Sequence, residues 1–189
     1  MQPPDLPAPA PAPAPVPAAP RRRWALGALA ATALGAGIAA SWWRHRPEQD
    51  AAPAGLWVRQ WISPQGQNFG MQSFQGRPLL VNFWATWCPP CIEELPLIEA
   101  FYQQNKGNGW QVLGLAVDKP ERVLTFLNAS PLSFAIGMAG LEGTELSREL
   151  GNLTGSLPFT VVFSSDGQIA QRKLGRIVQQ DLDQWRGLR

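Results

Sequence analysis

Cys88 and Cys91 are the only two cysteines among the 189 residues, and two prolines separate them. On the first turn of a helix, that spacing brings both sulfurs within disulfide reach. A strand-like apolar run, Leu79–Trp84, precedes the pair, and a helical stretch opening at Pro89 follows it. Cys88 then falls at a helix N-terminus, where N–H groups without intrahelical partners, together with the helix dipole, stabilise a thiolate and lower its pKa. Cys91, a turn further in, is placed to attack a mixed disulfide that Cys88 has formed. Pro89 and Pro90 lack N–H groups, which a first helical turn tolerates, and they stiffen the motif. The chemistry that suits this pair is thiol–disulfide exchange.

The rest of the inventory narrows the field. The single histidine, His45, sits between Arg44 and Arg46 at the end of an apolar stretch. A Ser-His-Asp or Cys-His nucleophile system in the globular part is therefore excluded, as is a His-ligated zinc or copper site there. No second cysteine pair completes four zinc ligands, and neither a resident metal nor an organic cofactor is expected. Two other uses of the pair stay open on the residues alone. Soft thiolates suffice for Cu(I), which would make the chain a copper delivery or assembly module. A purely structural disulfide is the other, although so short a loop adds little stability. A thiol peroxidase needs a Thr/Ser-x-x-Cys setting, and Thr86 stands two residues before Cys88 instead of three.

Around the pair, the apolar pattern alternates between short buried runs and helical stretches. Leu79–Trp84 reads as a strand and Pro89 to about Gly107 as a helix. Trp110–Val117 reads as a second strand, and Glu121–Asn128 as a helix with Val123, Leu124 and Leu127 inward. A short strand follows around Phe134–Ile136, then a helix over Thr144–Leu150. Thr160–Phe163 and Ile169–Leu174 flank a Ser165-Asp166-Gly167-Gln168 hairpin turn, and Gln179–Trp185 closes as a helix. This order predicts an α/β domain with a mixed central sheet and helices on both faces.

The first 56 residues have another character. Residues 1–20 hold nine Pro and six Ala and read as a disordered tail. The stretch 21–46 reads as a transmembrane signal anchor, retained because its apolar run is longer than a normal signal peptide's, with cleavage at the small-x-small pattern of Gly37 and Ala39 as the alternative. Trp24–Trp43 is a 20-residue run without charge, long enough to meet a bilayer's ~30 Å core, with Arg21–Arg23 before it and Arg44 and Arg46 after it. The larger N-terminal arginine cluster predicts a cytoplasmic N-terminus. Residues 47–56 read as a linker and 57–189 as the folded domain. Five of the 16 Lys and Arg precede residue 47, against one of the 14 acids, Asp5. Residues 47–189 thus keep 11 basic and 13 acidic side chains, so the basic pI of about 8.8 belongs to the collar. A nucleic-acid partner, which needs a basic stripe on the domain itself, is not expected.

The segment Phe83-Trp84-Ala85-Thr86-Trp87-Cys88-Pro89-Pro90-Cys91, with Glu94-Leu95-Pro96 following, resembles the thioredoxin superfamily. More narrowly it is similar to the membrane-anchored TlpA/ResA-like branch, from Trp57 to the C-terminus. Pro96 matches the proline that kinks the active-site helix in that family. Gly155-Ser156-Leu157-Pro158-Phe159-Thr160 matches the loop carrying the family's cis-proline, at Pro158. A cis bond there would set the Leu157 backbone beside the sulfurs, able to pair with a substrate strand. Trp87, Pro89, Pro90, Leu157 and Pro158 are accordingly the expected client-facing residues. Asn82 stands where thioredoxin has a buried aspartate. The branch shares that asparagine and uses instead a glutamate three residues after the second cysteine, here Glu94, to accept the Cys91 proton. Glu93 reads as a solvated acid. The long separation of Cys88 from Pro158 fits a helix–strand insertion around residues 121–150.

The resemblance implies a thioredoxin-like fold preceded by one transmembrane helix, in a thiol–disulfide oxidoreductase of the bacterial inner membrane. Its domain would lie on the periplasmic or outer side and reduce client disulfides. It also implies a membrane electron donor of the thiol–disulfide transporter type, and apocytochrome c or copper-site assembly proteins as clients. An oxidant of the same chemistry would differ only in redox poise.

Overall fold

The computed structural model describes residues 51–188. The tail and anchor readings over residues 1–46 lie outside the described residues. Within them, no helix is long and apolar enough to cross a membrane.

Among the described residues, seven strands and four α-helices make up the domain. The strands are β1 (Gln60–Ile62), β2 (Asn68–Gly70), β3 (Leu79–Trp84), β4 (Gln111–Ala116), β5 (Ala135–Met138), β6 (Phe159–Phe163) and β7 (Ile169–Leu174). The helices are α1 (Pro89–Asn105), α2 (Pro120–Ala129), α3 (Gly140–Glu149) and α4 (Gln179–Trp185). One mixed sheet joins the strands in the order β2-β1-β5-β4-β3-β6-β7. β3, β4 and β5 run parallel, and β6 lies antiparallel against β3.

The continuous apolar run of β3 follows from burial on both faces. Leu80 and Trp84 point into a core shared with α1, α2 and α4. Leu79, Val81 and Phe83 point into a second core shared with α3. Each such fully buried aliphatic or aromatic side chain contributes about 1.5–3 kcal/mol. α1 buries Cys91, Glu94, Leu95, Ile98, Phe101 and Asn105, a three-and-four spacing that turns one stripe of the helix to the sheet. Pro96 lies inside this helix with its ring exposed.

Three local features differ from the sequence reading. β1 and β2, an antiparallel hairpin, were not expected, because three-residue strands are too short to show a period of two. Trp61 is buried there while its neighbour Ile62 is exposed. The packed part also reaches back into the stretch read as linker. Leu56 opens a 3-10 turn over Leu56–Val58, is only 1% exposed and enters the second core, and Ala52 packs against that core. Finally, α3 starts at Gly140, four residues before the expected Thr144. Glycines hid its first turn, since glycine is a poor helix former. Gly143 is required by close packing, because a Cβ there would run into the Ala139 Cβ.

Candidate active site

In the register of β3 with β6, Phe83 faces Phe159, so the C-terminal end of β3 and the N-terminal start of β6 share one edge of the sheet. The loop Ala85–Trp87 leaves β3 at that edge, and Leu157–Pro158 enters β6 there. Cys88 is the N-cap of α1 with extended backbone, and Pro89 and Pro90 occupy the first helical positions. Cys88 and Cys91 form a disulfide with sulfurs 2.04 Å apart and Cα atoms 5.3 Å apart. Both are buried, Cys91 completely, whereas Pro89 and Pro90 are exposed and Trp87 is 58% exposed beside them. The Leu157–Pro158 peptide bond is cis, as the resemblance implied. Pro158 is buried, Leu157 is half-buried, and the Pro158 carbonyl accepts a hydrogen bond from Gly175 N–H at 2.9 Å.

Glu94 comes one turn after Cys91 on the same buried side of α1. It is 1% exposed, more deeply buried than the partly covered site expected for it. Its Oε1 accepts from Asn82 Nδ2 at 2.7 Å and its Oε2 from Ile177 N–H at 2.6 Å. The second Asn82 Nδ2 hydrogen goes to Thr160 Oγ1 at 2.9 Å. Both amide donors are thus committed, and Asn82 Oδ1 is without a partner among the described residues. Burial raises the Glu94 pKa from 4.5 to about 7, against the opposing pull of the Ile177 and Asn82 hydrogen bonds and the Arg176 charge. Such a carboxyl exchanges a proton readily near neutrality. Glu93, the next residue back, is exposed and pairs with Arg176 at 2.6 Å.

One residue of this edge escaped the sequence reading. Asp118 Oδ2 accepts from Thr86 N–H at 2.8 Å and from Thr86 Oγ1 at 2.5 Å, tying the loop before Cys88 to the end of β4. Burial pushes the Asp118 pKa up, but the Thr86 hydroxyl, the Lys119 and Thr86 N–H groups and the Arg122 charge outweigh it. The carboxyl is held below its usual 3.8. The signal lies in the parallel register, where Trp84 faces Ala116. Two residues beyond each strand end, Thr86 and Asp118 stand side by side.

The family model described as Redoxin matches residues 48–184. The chain belongs to the Redoxin family. Among curated relatives it is 26% identical over 122 residues to the thiol-disulfide oxidoreductase ResA of Bacillus thuringiensis subsp. konkukian, covering 64% of this chain and 68% of that protein. It is likewise 26% identical over 142 residues to the sporulation thiol-disulfide oxidoreductase A of Bacillus subtilis, covering 73% and 81%. A thioredoxin-family thiol:disulfide interchange protein from Chlorobium tepidum TLS superposes with a TM-score of 0.63 at 24% identity, covering 71% of this chain and 92% of that one. A thioredoxin-related protein from Neisseria meningitidis serogroup B reaches 29% identity and a TM-score of 0.58, covering 65% and 93%. The fold is thioredoxin-like, and these relatives agree with the TlpA/ResA-like resemblance. With the bonded Cys88–Cys91 pair, family membership makes this chain a protein thiol–disulfide oxidoreductase.

Proposed function

We propose that this Redoxin-family chain reduces disulfides of client proteins, with Cys88 as attacking thiolate, Cys91 as resolving thiol and Glu94 as the proton acceptor for Cys91. The observation that carries this reading is the buried Glu94 carboxyl, one helical turn from Cys91 and with a pKa near 7. The Cys88 thiolate attacks one sulfur of a client disulfide, and the released client thiolate takes up a proton. Cys91 then gives its proton to ionised Glu94, and the Cys91 thiolate attacks the Cys88 sulfur. The second client thiolate leaves and is protonated in turn, so two electrons pass to the client and Cys88–Cys91 becomes the disulfide. Trp87, Pro89, Pro90 and the Leu157–Pro158 loop form the client-facing surface in this reading.

Residues 21–46 anchor the domain to the bacterial inner membrane on its periplasmic or outer side, a reading supported by the uncharged run and its arginine collars. Reduction in that compartment draws electrons from a membrane thiol–disulfide transporter. By the resemblance, apocytochrome c and copper-site assembly proteins are the client class. The test is the pH dependence of mixed-disulfide resolution, measured with reduced full-length chain in detergent and a peptide containing one internal disulfide. Resolution should rise through a midpoint near pH 7 in the unaltered chain and lose that rise in Glu94→Gln. An identical pH profile in both would refute the role of Glu94. Membrane fractionation after high-salt and carbonate washes tests the anchor.

A further inference from the structure

Three consecutive residues on the turn between β7 and α4 each bond a different part of the redox site. Gly175 N–H donates to the Pro158 carbonyl at 2.9 Å, on the loop that enters β6. Arg176 pairs with Glu93 of α1 at 2.6 Å. Ile177 N–H donates to Glu94 Oε2 at 2.6 Å, and the Ile177 side chain is buried in the core beneath α1. No other described segment bonds both the Leu157–Pro158 loop and a carboxylate of α1 through its backbone N–H groups. Gly175 holds a left-handed φ of 85°, and a Cβ there would meet nothing within 4 Å. The turn is therefore shaped by its backbone conformation and not by crowding.

We propose that this turn couples the client-binding loop to the proton acceptor, so that Glu94 ionised and the Leu157–Pro158 loop held for a client favour one another. A hydrogen bond to a carboxylate is stronger than one to a carboxylic acid. Ionised Glu94 grips Ile177 N–H, which fixes the turn and, through Gly175, the Pro158 carbonyl. Protonated Glu94 loosens the same chain of bonds. Coupling of this kind is reciprocal, so a client bound at the loop favours ionised Glu94 by the same factor. The base is then primed when a mixed disulfide is about to need it. The inference rests on the proposed role of Glu94 and the loop, and adds to it a route between them.

The other groups around Glu94 are few. Arg176 on the turn, Asp181 on α4, Lys173 on β7, which pairs with Asp181 at 3.1 Å, and Glu93 on α1 supply the nearby charges, and Cys91 is the neighbouring thiol once reduced. β3 and β6 present only the uncharged Asn82 and Thr160.

The test uses reduced full-length chain in detergent and a synthetic peptide with an internal disulfide between cysteines two residues apart. Single-turnover rates over a range of peptide concentrations separate the half-saturating concentration from the maximal rate. In the unaltered chain, half-saturation should fall about fivefold from pH 6 to pH 8. Gly175→Ala, strained by its positive φ, should weaken half-saturation at pH 8 and flatten that dependence. Gly175→Asn, which tolerates a left-handed backbone, should restore it. Glu94→Gln should abolish the dependence altogether. Circular dichroism confirms that each variant is folded. Half-saturation that ignores pH while the maximal rate follows Glu94 overturns the coupling and leaves the proton-acceptor role standing. A maximal rate whose pH profile survives Glu94→Gln overturns that role and the coupling with it.

Discussion

Glu94 makes the domain less stable as pH rises through neutrality, and Glu94→Gln isolates that contribution. Its carboxyl titrates at about 7 in the folded chain against 4.5 for an ordinary glutamate. Below pH 4.5 the group is protonated in both folded and unfolded chains and has no effect. Between 4.5 and 7 the folded chain binds more protons, so stability falls with pH across that window. Above 7 the loss is complete. At ~1.4 kcal/mol per pKa unit, the penalty comes to about 3 kcal/mol. Glutamine has the same shape, remains neutral and can still accept from Ile177 N–H, while Asn82 turns its amide to accept from the new side-chain NH2. Urea unfolding of oxidised residues 48–189, with and without Glu94→Gln, should coincide at pH 4.5. By pH 8 the variant should be more stable by roughly 1–3 kcal/mol. Curves that differ equally at both pH values, or a variant weaker at pH 8, would refute the assignment of a raised pKa to burial.

Asp118→Ala should remove both bonds to Thr86, cost about 1–3 kcal/mol and slow the reaction at Cys88, as read by thermal unfolding and by peptide turnover. Leu56→Ala should cost about 2–5 kcal/mol in urea unfolding, which checks that the packed domain starts before Trp57. Trp87→Ala should change stability by less than ~0.5 kcal/mol, because the side chain is largely exposed, yet weaken peptide half-saturation. Equal half-saturation in that variant would remove Trp87 from the client surface.

Much of this site is legible because its determinants are close in sequence. Cys88, the two prolines and Cys91 lie within one strand-to-helix junction, where helical geometry alone relates them, while Glu94, one turn further on, was singled out by the resemblance. Pro158 became legible only through the resemblance, since nothing local distinguishes a cis-proline from one that opens a strand. The partners of Glu94 stayed hidden for a different reason. Asn82 and Ile177 reach it from two separate elements, with Thr160 of a third holding Asn82 in place, and one of the bonds to Glu94 is made by a backbone N–H, which leaves no mark on residue identity. Asp118 was missed because its meaning depends on strand register. In the fold, β3 and β4 were visible as apolar runs buried on both faces. The β1–β2 hairpin and the first turn of α3 were not, one being too short to show a period and the other being masked by glycines.

The most direct test of the proposed reductase is the reduction potential of the Cys88–Cys91 pair, obtained by equilibrating the full chain against defined thiol–disulfide ratios. A value near that of thioredoxin, about −270 mV, is the predicted result and fits a donor of electrons to client disulfides. A value near that of DsbA, about −120 mV, would make the pair an oxidant and contradict reduction as its function.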